Sequence, residues 1–168
     1  AQEGDGGFSL IGLAASGADV FRIPLPARGH AATLHPTRAE VVAFARRPGT
    51  FAMVVDCASG KVGRRLQAPE GRAFNGHGAF SGDGAVLYTS EVENATGAGR
   101  IGLWARDEAY RRVGEWGSGG IGPHEIRRLA DDVLVVANGG IQTGPLDREK
   151  LNIPTMIPNL TYLSGGAV

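Results

Sequence analysis

Apolar residues come in short runs along this chain, rich in β-branched and aromatic side chains and bounded by Gly, Pro, Asp or Ser. That pattern predicts strand after strand. The expected strands cover residues 8–14, 19–23, 31–35, 40–45, 50–56, 62–67, 78–81, 86–90, 101–105, 110–116, 125–129, 133–138 and 160–163. No window has the spacing of a good amphipathic helix. Ala58-Ser59-Gly60-Lys61 and Ser81-Gly82-Asp83-Gly84 read as hairpin turns, with glycine supplying the positive φ that a tight turn needs.

Aligning the histidines exposes a repeat. His30, His77 and His124 follow one another at intervals of 47 residues, each just after a turn residue, in Gly29-His30, Gly76-His77 and Pro123-His124. About ten residues on, each repeat has an apolar strand: Val41-Val42-Ala43-Phe44, Val86-Leu87-Tyr88 and Leu134-Val135-Val136. The first two repeats continue with matching third and fourth strands. Four strands per ~40 to 50 residues is the pattern of a propeller blade, which buries its two faces only by stacking on neighbours around a central channel. A sandwich has no reason to repeat at a constant long period.

The fold class expected is therefore all-β, built of propeller blades of four antiparallel strands. Residues 1–28 read as closing strands, 29–75 and 76–122 as blades, and 123–168 as an incomplete blade. Closed propellers have at least about four blades. Two readings follow: a portion of a longer propeller, or half-rings that self-associate through open blade edges.

Composition narrows the partners. Seventeen basic and 17 acidic residues cancel, so no general field draws the chain to nucleic acid. The pairs Arg46-Arg47, Arg64-Arg65, Arg111-Arg112 and Arg127-Arg128 read as solvated strand ends. No apolar run is long enough to insert in a membrane as a helix. The polar start Ala1-Gln2-Glu3-Gly4-Asp5 has neither the basic nor the apolar region of a signal peptide and matches what remains after cleavage of one, as an expression boundary would equally. A single cysteine, Cys57, excludes an intrachain disulfide and a cysteine metal cluster.

Equivalent positions of successive inner strands converge at one mouth of a propeller channel. His30, His77 and His124 start the first strand of their repeats, which makes that mouth the candidate binding surface. Glu91 and Glu93 just after a second strand, Glu125 beside His124, and Asn138 at a strand end are candidate additions. Imidazole with carboxylate suits a divalent metal such as iron, zinc, copper or nickel, with His77 and His124 the candidate ligands. The competing reading is structural, with each histidine donating to a backbone carbonyl of the adjoining blade. His35, without repeat counterparts, reads as a surface turn residue. The long segment 138–156 is expected to cross a propeller face.

Other matches carry no chemistry. Gly97-Ala98-Gly99-Arg100-Ile101-Gly102 fits a dinucleotide-binding pattern but no helix follows, so it reads as a turn. His124-Glu125-Ile126-Arg127-Arg128 has Arg where a zincin needs its second histidine.

The runs Phe44-Ala45-Arg46-Arg47-Pro48-Gly49-Thr50, Gly76-His77-Gly78-Ala79-Phe80-Ser81, Gly120-Ile121-Gly122-Pro123-His124-Glu125-Ile126, Val135-Val136-Ala137-Asn138-Gly139-Gly140-Ile141 and Lys150-Leu151-Asn152 with Met156 resemble the bacterial family called domain of unknown function 1513. The resemblance implies the N-terminal half of a seven-bladed propeller, exported to the periplasm. It also implies iron-uptake partners of the imelysin type and the candidate positions His77, Glu91, His124, Glu125 and Asn138. It implies no known reaction. The function expected is a binding or scaffold module linked to iron uptake or metal binding, more a binder than an enzyme. The alternative is a metal-dependent propeller hydrolase or lactonase with its site in the channel.

Overall fold

A computed structural model describes residues 1–45, 49–144 and 149–168; the Arg46-Arg47 pair and part of the 138–156 segment lie outside the described residues. All thirteen expected strands are present. In chain order they are β1 (Phe8–Leu13), β2 (Asp19–Leu25), β3 (Gly29–Leu34), β4 (Glu40–Ala45), β5 (Phe51–Asp56), β6 (Val62–Gln67), β7 (Arg72–Phe80), β8 (Val86–Glu93), β9 (Ala98–Ala105), β10 (Arg111–Ile121), β11 (Pro123–Arg128), β12 (Leu134–Asn138) and β13 (Asn159–Leu163). They form a β1-β2 hairpin, a first blade β3-β4-β5-β6, a second blade β7-β8-β9-β10 and a three-stranded blade β11-β12-β13. Every pairing is antiparallel between strands adjacent in sequence.

Period-two alternation explains how the blades stack, because neighbouring residues of a strand face opposite sides of the sheet. On β5, Ala52 and Val54 enter the core against the second blade, whereas Met53 and Val55 enter the core under the hairpin. On β8, Leu87 faces the first blade and Tyr88 the third. Phe44, Phe74 and Trp104 fill the first interface; Ile101, Ile126, Leu134, Val136 and Leu163 fill the second. Runs such as β8, buried at every interior position, therefore belong to a blade covered on both faces. Among the described residues the third blade is covered on one face, and Leu160 and Tyr162 on β13 are exposed.

Polar ties cross the same interfaces. Arg106 Nε donates to Glu40 Oε1 at 3.1 Å and the Tyr110 hydroxyl bonds the same carboxylate oxygen, joining the second blade to the first. Between the second and third blades the Asn75 amide donates to the Pro123 carbonyl, and the Gly82 N–H to Asp132 Oδ1 at 2.7 Å.

Four expectations are corrected. His35 is buried against Phe80, and its Nδ1 accepts the Thr37 N–H at 3.2 Å, because the following Pro36-Thr37 turn folds back over the ring. Glu91 and Glu93 lie within β8 and not after it, since the hydrogen-bonded ladder with β7 continues to Arg72–Glu93. The glycine motif at 97–102 is mostly strand β9. Arg112 is no solvated strand end: it bonds the buried Glu91 and lies over the Trp104 ring, 5.9 Å from its centroid.

Candidate functional site

The inner strands β3, β7 and β11 lie side by side, β3 against β7 and β7 against β11. Each is irregular at its histidine. The pairing register shifts between Gly29 and Ala32, between Phe74 and Gly78, and between Pro123 and Glu125, and these three intervals contain His30, His77 and His124 respectively. A bulge bends the strand and re-aims the side chain it carries. Three equivalent bulges turn three imidazoles toward one another.

The result is a compact cluster. One ring nitrogen from each histidine lies within 4.8 Å of the others. His77 Nε2 is 3.1 Å from His30 Nε2, and ring centroids are 4.9 Å apart for His30 and His77, 4.8 Å for His77 and His124, and 5.6 Å for His30 and His124. His30 and His124 are exposed, and His77 between them is half-buried. Such closeness needs space on the neighbouring backbone. A Cβ on Gly76 would stand 2.3 Å from His30 Cδ2, and Gly76 has φ +99°. Glycine alone meets both demands, because it lacks the side chain that would strike the ring and tolerates the left-handed conformation.

His77 is held from two further sides. Its Nδ1 is 3.1 Å from Glu125 Oε2, and its carbonyl accepts the Ser90 hydroxyl at 3.0 Å. The other Glu125 oxygen, Oε1, forms an ion pair with Arg127, whose Nε lies 3.1 Å away. Burial holds the His77 imidazole below the ordinary histidine range; Glu125 pulls it upward, and His124 and Arg127 push it down. The favoured form is the neutral imidazole, which is the form that ligates metal.

The other three proposed positions lie elsewhere; Glu93, at the end of β8, accepts Arg100 Nε at 2.9 Å and the Thr96 hydroxyl at 2.9 Å. Glu91 is fully buried inside the second blade, where Oε1 accepts the Thr89 hydroxyl at 2.9 Å and Oε2 accepts Arg112 Nη2 at 2.9 Å. It is not brought to the histidines. Asn138 is buried between the second and third blades: its Oδ1 accepts the Ser118 hydroxyl at 2.7 Å, and its amide donates to the Ser118 carbonyl at 2.9 Å and to Thr161 Oγ1 at 3.1 Å. Those bonds occupy it in stacking blades. The inter-blade tie to a backbone carbonyl, considered for the histidines, is made by Asn75 to Pro123, while the ring of His77 faces His30 and Glu125.

Stacked four-stranded antiparallel sheets whose inner strands bring a histidine cluster to one end define a partial β-propeller. Among solved structures, the crystal structure of Saccharomyces cerevisiae Sqt1, a WD40 propeller, matches with a TM-score of 0.58 at 13% identity. The match covers 80% of this chain and 38% of that one, so it extends over well under half of that structure. No curated protein sequence matches. The family profile described as protein of unknown function (DUF1513) matches residues 23–168, and the chain belongs to that family.

Proposed function

We propose that this protein is a binding module whose ligand is a borderline divalent cation, held by His30, His77 and His124 at the mouth formed by the inner strands. The observation that carries the reading is the placement of three imidazole nitrogens, from three successive blades, within 4.8 Å of one another. Zn–N bonds of about 2.0–2.1 Å place tetrahedral ligand atoms about 3.3 Å apart, so the 3.1 Å pair is already at ligand spacing and the third needs a shift on the order of 1 Å.

Donor chemistry sets the ion class. Imidazole suits zinc, copper, nickel and iron, whereas calcium and magnesium want oxygen ligands. At such a site Fe2+ binds more weakly than Cu2+ or Zn2+ by the usual order of affinities. The iron-uptake setting, the periplasmic location and partners of the imelysin type rest on the family resemblance and belong to the proposal at that level. Ferrous ion is accordingly one of the ions to test.

Calorimetric titration of the full chain with Zn2+, Cu2+ and anaerobic Fe2+ distinguishes the outcomes. One ion per chain is expected for zinc and copper, weaker binding for iron, and at least a hundredfold loss in His77→Ala. No binding of any of the three, or binding untouched by His77→Ala, overturns the reading.

A further inference from the structure

We propose that Glu125 is the positioning residue of the histidine cluster, fixing His77 in the tautomer that offers Nε2 to the ion. The affinity part of this proposal rests on the metal reading above; the tautomer part stands without it.

A carboxylate accepts hydrogen bonds and donates none. Glu125 Oε2 lies 3.1 Å from Nδ1, and its negative charge there favours the tautomer with the proton on Nδ1. Nε2 is then a lone pair, and it faces His30 Nε2 at 3.1 Å. With no ion bound, the lone pair is satisfied if His30 carries its own proton on Nε2. With an ion bound, the same lone pair is aimed at the metal.

Two features make the assignment specific to Glu125. Arg127 pairs with the other carboxylate oxygen, its Nε 3.1 Å from Oε1, so Oε2 is the oxygen turned to the imidazole. In addition, Glu125 follows the bulge between Pro123 and Glu125 in β11, so the irregularity that re-aims His124 also sets the placement of the carboxylate toward β7. The third blade thus supplies one candidate ligand, His124, and the group that orients the candidate ligand of the second blade. Carboxylates that orient ligating histidines in this way commonly contribute ten- to a hundredfold in metal affinity.

The test combines nitrogen-15 NMR of the His77 ring with zinc titration, on the full chain and three variants. Wild type is expected to show His77 protonated on Nδ1. Glu125→Leu should shift the ring toward the Nε2-protonated tautomer and weaken zinc ten- to a hundredfold, without loss of the dispersed spectrum of a folded β protein. Glu125→Gln keeps the side-chain shape but has one oxygen for two donors, and should move both readings in the same direction by less. Arg127→Leu should leave the tautomer in place. Should wild type bind no zinc, the metal reading fails, and the ring nitrogen shifts of wild type and Glu125→Leu still decide the role of Glu125. An unchanged tautomer in Glu125→Leu overturns the proposal, as does full zinc affinity in that variant.

Discussion

At the residue scale, the cluster depends on a glycine as much as on its histidines. Gly76 leaves room for the His30 ring and adopts a positive φ, so Gly76→Ala has both a clash and backbone strain to absorb. A loss of about 1–3 kcal/mol in denaturant unfolding is expected, together with a displaced His30 and weakened zinc binding. Unchanged stability would show that the backbone relaxes freely there. In the sequence, the Gly-His and Pro-His pairs made the repeat visible, and the 47-residue spacing was enough to bring His30, His77 and His124 to one mouth of the blades. Other placements were not legible. Glu91 looked like a channel carboxylate because it follows an apolar run, but side-chain direction is decided by strand length, and β8 extends through Glu93. His35 looked exposed because it precedes Pro36, yet the turn folds back on it. No local sequence rule states which side of a sheet a turn will cover.

At the element scale, the inner-strand bulges carry the site and the second blade carries the electrostatics. Regular strands send alternate side chains to opposite faces. The three irregular intervals release His30, His77 and His124 from that alternation, and a bulge leaves little trace in a hydrophobic pattern. The ion network of the second blade is equally hidden, since it joins Arg72 on β7, Glu91 on β8 and Arg112 and Glu115 on β10. Glu91 is its buried centre. A Cβ on Gly102 would lie 1.9 Å from Glu91 Oε1, so the facing strand is cut back to admit the carboxylate. Glu91→Ala leaves Arg112 with Glu115 as its remaining carboxylate partner and is expected to cost about 1–3 kcal/mol, read from denaturant midpoints at constant slope.

Glu115 gives the same network a pH dependence. Its hydrogen bond with Arg72, reinforced by Arg112, holds its carboxyl below the ordinary glutamate range. A group whose folded pKa is depressed contributes stability above its unfolded pKa and loses it as pH falls through the folded value. Glu115→Gln should therefore be less stable than wild type at neutral pH, with the gap closing as pH drops below about 4.5. A gap that persists in acid would assign the effect to packing.

At the scale of the whole molecule, the strand pattern specified both that blades form and that they stack, because β4 and β5 carry apolar residues on both faces. It did not specify how many blades complete the ring. The hairpin β1-β2 and the third blade mark the two ends of the stack, and each leaves apolar side chains in solvent: Leu13 and Val20 on the hairpin, Leu160 and Tyr162 on β13. Exposed sheet faces and edges of this kind favour association with further strands. Sedimentation of the 168-residue chain is expected to show concentration-dependent self-association, reduced by Leu160→Lys with Tyr162→Lys. A monomer at all concentrations would mean that these faces do not attract a second copy.

The central claim is that bulges in three successive inner strands assemble one three-imidazole site. Zinc-edge X-ray absorption of the protein loaded with one equivalent of Zn2+ tests it most directly. The account predicts about three nitrogen scatterers near 2.0–2.1 Å with the outer-shell signature of imidazole rings, falling to two in His124→Ala. A spectrum of oxygen ligands without imidazole scattering, or one unchanged in His124→Ala, would contradict it.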